Sequence, residues 1–184
     1  MLDLAKRKLP QAVKVGGSFF ELNTDFRYFL SLKRQLKEKN DDLKVFDFIY
    51  KREPPADRLA GLKAVLEFME PPCELPRRTG AETGEIVIDY DLDADYIFAA
   101  FWERYKIDLI GVEHLHWHKF TALLRGLHDT ELNEIISARL WQPNGKNGEY
   151  EKSRQRQYEA WRLPQPDDQN DEALDDFNKA LGGK

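Results

Sequence analysis

The chain has 184 residues, 33% of them charged, and 28 Lys and Arg against 33 Asp and Glu leave a net charge of −5. Its hydrophobic content of 41%, with 11 Phe, 7 Tyr and 4 Trp, excludes a wholly disordered polypeptide, which lacks the apolar surface to offset ordering entropy. No stretch approaches the roughly 18 uninterrupted apolar residues that a membrane-spanning helix needs, and the acidic balance lacks the basic stripe of a nucleic-acid binder.

Lys6, Arg7 and Lys8 are followed by no apolar run, so no secretory leader is expected and the compartment predicted is the cytosol. Residues 11–22 predict a small β-hairpin. Val13 and Val15 alternate with Lys14, Gly16-Gly17-Ser18 supplies positive φ for a tight turn, and Phe19, Phe20 and Leu22 return. Asn23-Thr24-Asp25 then offers side-chain oxygens to the free N–H groups of a helix start. The helix that follows carries Phe26, Phe29, Leu30 and Leu36 on its predicted inner face. Asn40-Asp41-Asp42 ends it and caps a short helix marked by Leu43, Phe46, Ile49 and Tyr50. Pro54-Pro55 is expected to open the next helix, whose Leu59, Leu62, Leu66 and Met69 recur at spacings of three and four.

Pro71-Pro72 stops that helix, and Cys73 to about Gly84 reads as a surface loop. Ile86-Val87-Ile88 is β-branched and predicts a short strand or an extended lead-in. A strong helical block begins near Asp91, with Asp93 or Asp95 in its first turn and Ile97, Ala100, Phe101 and Tyr105 on one stripe. A further helix groups Trp117, Phe120, Leu124 and Leu127, and another groups Leu132, Ile135, Ile136 and Leu140. Residues 149–162 suit a solvated helix. Residues 163–184 hold six acidic and two basic residues and one aromatic, Phe177, and predict a flexible acidic tail. The body, residues 1–162, is then nearly neutral and holds every other aromatic residue.

Chemistry-bearing patterns are few. Glu113-His114-Leu115-His116-Trp117-His118 holds three of the four histidines, and on a helix His114 and His118 would share a face as paired metal ligands do. His116 would point roughly 200° away from His114, and neither the Glu of a His-Glu-x-x-His helix nor the Asp of His-x-His-x-Asp-His is present. A core role for Trp117 and Phe120, with His116 part-buried and hydrogen-bonded, is the better reading. Asp89, Asp91, Asp93 and Asp95 fail as a calcium loop. Its sixth and twelfth positions require Gly and Glu, and hold Ala94 and Ala100. Carboxylates at a helix N-terminus are expected instead. Cys73 is the only cysteine, which excludes an internal disulfide and a multi-cysteine zinc site, and it has no neighbouring His. No Gly-x-Ser-x-Gly elbow occurs, and Gly16-Gly17 runs into Phe19-Phe20 and not into a phosphate-loop Lys. Lys33, Arg34, Lys37 and Lys39 make a basic face of the kind that is ordinarily solvated.

Three blocks together carry a family resemblance: Phe19-Phe20-Glu21-Leu22-Asn23-Thr24-Asp25-Phe26-Arg27; the run Tyr90-Asp91-Leu92-Asp93-Ala94-Asp95-Tyr96-Ile97-Phe98-Ala99-Ala100-Phe101; and Tyr105-Lys106-Ile107-Asp108-Leu109 leading to Leu115-His116-Trp117-His118-Lys119-Phe120. Their combination resembles the bacteriophage family named for gene product fifteen, of siphophages and prophages of Gram-positive bacteria, from about Val13 to Leu140. The chain departs from that pattern at Lys106, where glycine is common, and at His118, where a second Trp is common. The resemblance implies a tail assembly chaperone encoded beside the tape measure protein, which it coats until tail-tube subunits displace it.

These readings converge on a mainly α-helical domain over residues 1–162, with an N-terminal hairpin and an acidic tail over 163–184. The function expected is that of a non-enzymatic chaperone without metal or cofactor. It would bind the tape measure protein, with the major tail protein and self-association as further contacts, in the host cytoplasm and outside the mature virion. The alternatives are a structural virion component, such as a neck or tail-completion protein, and a metal-dependent hydrolase built on His114, His116 and His118.

Overall fold

The computed structural model describes residues 8–38, 42–70, 87–143 and 148–164. The chain is mainly helical. A hairpin pairs β1 (Ala12–Val15) with β2 (Ser18–Glu21), antiparallel, with Val13 opposite Phe20. Gly16 and Gly17 form its two-residue turn at φ +56° and +92°, the left-handed region that makes glycine the fitting residue there. After them come α1 (Phe26–Lys37), a 3-10 helix (Leu43–Ile49), α2 (Arg58–Met69), α3 (Ala94–Tyr105), α4 (Trp117–Gly126), α5 (Glu131–Arg139) and α6 (Glu149–Trp161). The described residues fall into two compact units. The first holds those within Met1–Glu82 and Asp95–His128, the second those within Thr83–Ala94 and Asp129–Lys184.

Local chemistry sets the helix boundaries. Asp25, Asp42 and Asp57 each cap a helix, their carboxylates accepting from the N–H groups of Arg27, Lys44 and Ala60. The helix expected to open on Pro54-Pro55 starts instead at Arg58, because Asp57 provides the cap and the prolines lie before it. A bidentate ion pair from Arg58 to Asp47 ties that start to the 3-10 helix. Met69 ends α2, and Glu70, held extended at ψ 150°, precedes Pro71 as a pre-proline residue must.

The first unit is built on stacked aromatic rings. Phe26 of α1 stacks on Phe120 of α4 at 4.6 Å between centroids, and Phe120 stacks on Phe101 of α3 at 5.3 Å. Phe29 lies between Phe68 of α2 and Trp117 of α4. Such offset pairs add about 0.5–1.5 kcal/mol each beyond the area they bury. Two predicted faces are corrected. In α1 the buried positions are Phe26, Phe29 and Leu32, while Leu36 is exposed. In α2 the buried residues are Gly61, Val65 and Met69, and Leu59 and Leu66 face solvent. The reason is a close approach at Gly61, where a Cβ would lie 2.5 Å from Pro55 Cγ and 2.7 Å from the Tyr50 hydroxyl. That contact turns the glycine edge inward. The α3 stripe is as expected, with Ile97, Ala100 and Phe101 buried.

The second unit centres on Arg139 at the end of α5. Its guanidinium makes a bidentate pair with Asp93 at 2.6 and 2.8 Å, and also donates to the carbonyls of Val87 and Trp161. Both partners are buried. Val87 and Ile88 form no strand, and the Val87 carbonyl is spent on Arg139. Asp95 takes the first turn of α3, as the choice between Asp93 and Asp95 allowed, while Asp93, directly before the helix, is also a buried ion-pair partner. Helix α6 buries none of its residues, as its polar composition implies. The loop at residues 73–84 and the tail beyond Pro164 lie outside the described residues.

Candidate functional site

The first and third sequence blocks meet in space. Residues 22–27 and 109–117 run side by side through an antiparallel bridge between Asp25 and His116, in which Phe26 N–H donates to Leu115 O and Trp117 N–H to Thr24 O. The Asp25 carboxylate sits at the crossing. It accepts from Arg27 N–H in capping α1, pairs with the Arg27 guanidinium, and accepts from the buried Leu115 N–H at 2.8 Å. Arg27 in turn donates to the carbonyls of Leu109, Ile110 and Val112. Asp108 holds the same loop from within, accepting from the N–H groups of Ile110 and Gly111. Asn23 performs the matching task on the other flank, donating to the Phe48 and Tyr50 carbonyls. Asn23, Asp25, Arg27 and Asp108 thus spend their side chains on backbone groups of these segments, which would otherwise lack partners.

The loop so fastened presents Ile110 at 81% exposure, a large apolar side chain on a rigid support. Tyr28, Leu59, Leu66 and Trp102 are the other exposed large apolar residues contributed by helices of this unit besides Leu36.

The histidines do not form the helical pair that the sequence allowed. Helix α4 begins at Trp117, so His114 lies outside it and is exposed. His116 is the N-cap of α4, with Nδ1 accepting from His118 N–H at 3.1 Å and Nε2 2.9 Å from the Pro10 carbonyl oxygen. Accepting at Nδ1 places the ring proton on Nε2, which donates to Pro10. Burial lowers the pKa of both His116 and His118, the latter to about 4, so both rings are neutral near pH 7. Among the described residues no group of three or more His, Cys, Asp or Glu is placed to hold a metal ion. The acidic run is likewise dispersed, since Asp93 faces Arg139 while Asp89 organises a turn by accepting from Asp91 and Leu92 N–H. Cys73 and Lys39 lie outside the described residues, and Lys33, Arg34 and Lys37 lie along α1.

The residues that the sequence reading missed are Arg27, Asp108 and Arg139. Arg27 and Asp108 lie inside the resembling blocks, which was their only local signal; Arg27 and Arg139 bond partners up to 85 residues away, while Asp108 acts within its own loop.

The match that decides the family is to the model described as Bacteriophage Gp15 protein, over residues 5–162. The chain belongs to that family. It is a bacteriophage protein, and all three motif blocks lie within the matched span. No curated protein and no solved structure matches it. Lys106, where the resemblance has glycine, closes α3. Lys106 has φ +54°, in the left-handed region, and its N–H bonds to Trp102 O while Ile107 N–H bonds to Phe101 O. The bond from Lys106 N–H to Trp102 O is the αL ending of α3, where glycine is the favoured residue. No helix among the described residues is long and apolar enough to cross a membrane.

Proposed function

We propose that the chain is a tail assembly chaperone: a binding protein with no catalytic activity of its own, which holds the tape measure protein in the host cytoplasm until the tail tube forms around it. Family membership over residues 5–162 carries the reading. Two features of the chain are consistent with it. Asn23, Asp25, Arg27 and Asp108 are committed to backbone groups, so the framework they fasten is held by structural bonds. Around it stand the exposed side chains Tyr28, Leu59, Leu66, Trp102 and Ile110, enough separate apolar contacts to hold an extended helical client loosely. Weak, distributed contacts suit a protein that must later be displaced.

Crosslinking in infected or induced cells, followed by mass spectrometry of purified particles, tests the proposal. The chain is expected on the tape measure protein during assembly and missing from finished virions. Stoichiometric recovery in mature particles would instead make it a structural component of the neck or tail.

A further inference from the structure

We infer that His116 is an acid-sensitive latch on the start of α4, capping the helix through the His118 N–H only while its ring is neutral. The geometry uses both ring nitrogens in one tautomer. Nδ1 is the acceptor that caps α4 through His118 N–H, and Nε2–H is the donor to the Pro10 carbonyl. A proton added to His116 must go to Nδ1, which then carries a hydrogen aimed at the His118 N–H. The cap is lost outright, and a positive charge stands at the positive end of the helix dipole.

The surroundings favour the neutral ring. His114 and His118 flank it, with ring centroids 6.4 and 5.2 Å away, and Lys119 follows on α4. From α2 the facing group is the uncharged ring of Phe68. The Pro10 carbonyl, with Lys8 on the same segment, accepts from Nε2–H in either protonation state and by itself favours the charged ring, but burial outweighs it. Asp25, across the bridge, is bonded to Arg27 and the Leu115 N–H. A charge on the ring is opposed by burial and by Lys119. The latch is closed above the ordinary imidazole range and opens as pH falls below it.

Histidine-resolved NMR of the full chain, titrated from pH 8 towards pH 4, tests this. At neutral pH the His116 ring should show the Nε2–H tautomer. As it protonates, the His118 amide should lose its protection from exchange by tenfold or more at the same midpoint, while amides in the middle of α1 stay protected. In His116→Asn, whose side-chain oxygen can cap without titrating, the His118 amide should remain protected through that range. A His118 amide that stays protected after His116 protonates, or that opens only together with α1, overturns the latch. So does a His116 ring with its proton on Nδ1.

Discussion

Lys106 shows how much one backbone angle decides. A side chain at φ +54° costs about 1 kcal/mol or more relative to glycine. Lys106→Gly is therefore expected to raise stability by about 1 kcal/mol in denaturant melts, with the fold unchanged. Tyr50 offers the complementary case. Its hydroxyl is buried without a hydrogen-bond partner among the described residues, and burial, aided by the Asp47 carboxylate, pushes the phenol up to about 12. Removing that oxygen by Tyr50→Phe should leave stability unchanged or raise it by about 1 kcal/mol, since an unmade buried hydrogen bond is a cost and no hydrogen bond is lost. A loss of similar size would show that the hydroxyl is bonded. Asp25 is the opposite. Asp25→Ala removes the α1 cap and orphans the buried Leu115 N–H, and should cost about 2–4 kcal/mol by the same melts.

At the scale of elements, what could be read from the chain was whatever depends on near neighbours. The Gly16-Gly17 turn, the caps at Asp25 and Asp42, and the α3 stripe all rest on residues within a few positions of one another. Leucine spacing alone does not choose the inner face of α2, because the helix is apolar on nearly every side. Gly61 chose, through its contact with Pro55 and Tyr50. The pairing of Asp93 with Arg139 was illegible for a related reason, since the two are 46 residues apart and either could have been a solvated charge. That pair predicts a localised effect. Arg139→Met leaves Asp93 buried and unpaired, at a cost of about 3–5 kcal/mol. Hydrogen exchange should rise around residues 87–93 and at the end of α6, where the Val87 and Trp161 carbonyls accept from Arg139. Unchanged protection there would mean that the contact contributes little.

For the molecule as a whole, the buried histidines set an acid limit. His118 titrates at about 4 when folded and near 6.5 when unfolded, because burial disfavours its charged form. The unfolded chain thus binds the proton first. The stabilisation is complete above about pH 6.5 and is lost as pH falls towards 4, a change on the order of 2–3 kcal/mol. His118→Phe, which keeps a ring against Phe68, should flatten that part of the stability profile; an unaltered slope would assign it to other groups.

Function belongs to this scale too, because the exposed apolar residues are spread over α1, α2, α3 and the Ile110 loop. The most direct measurement is co-expression of the tagged full-length chain with the tape measure protein of the same phage. A chaperone should keep the tape measure protein soluble and co-purify with it, and Ile110→Asp together with Leu59→Asp should reduce recovery severalfold while leaving the chain folded. A tape measure protein that aggregates equally with and without the chain, and is never recovered on it, would contradict the proposed role.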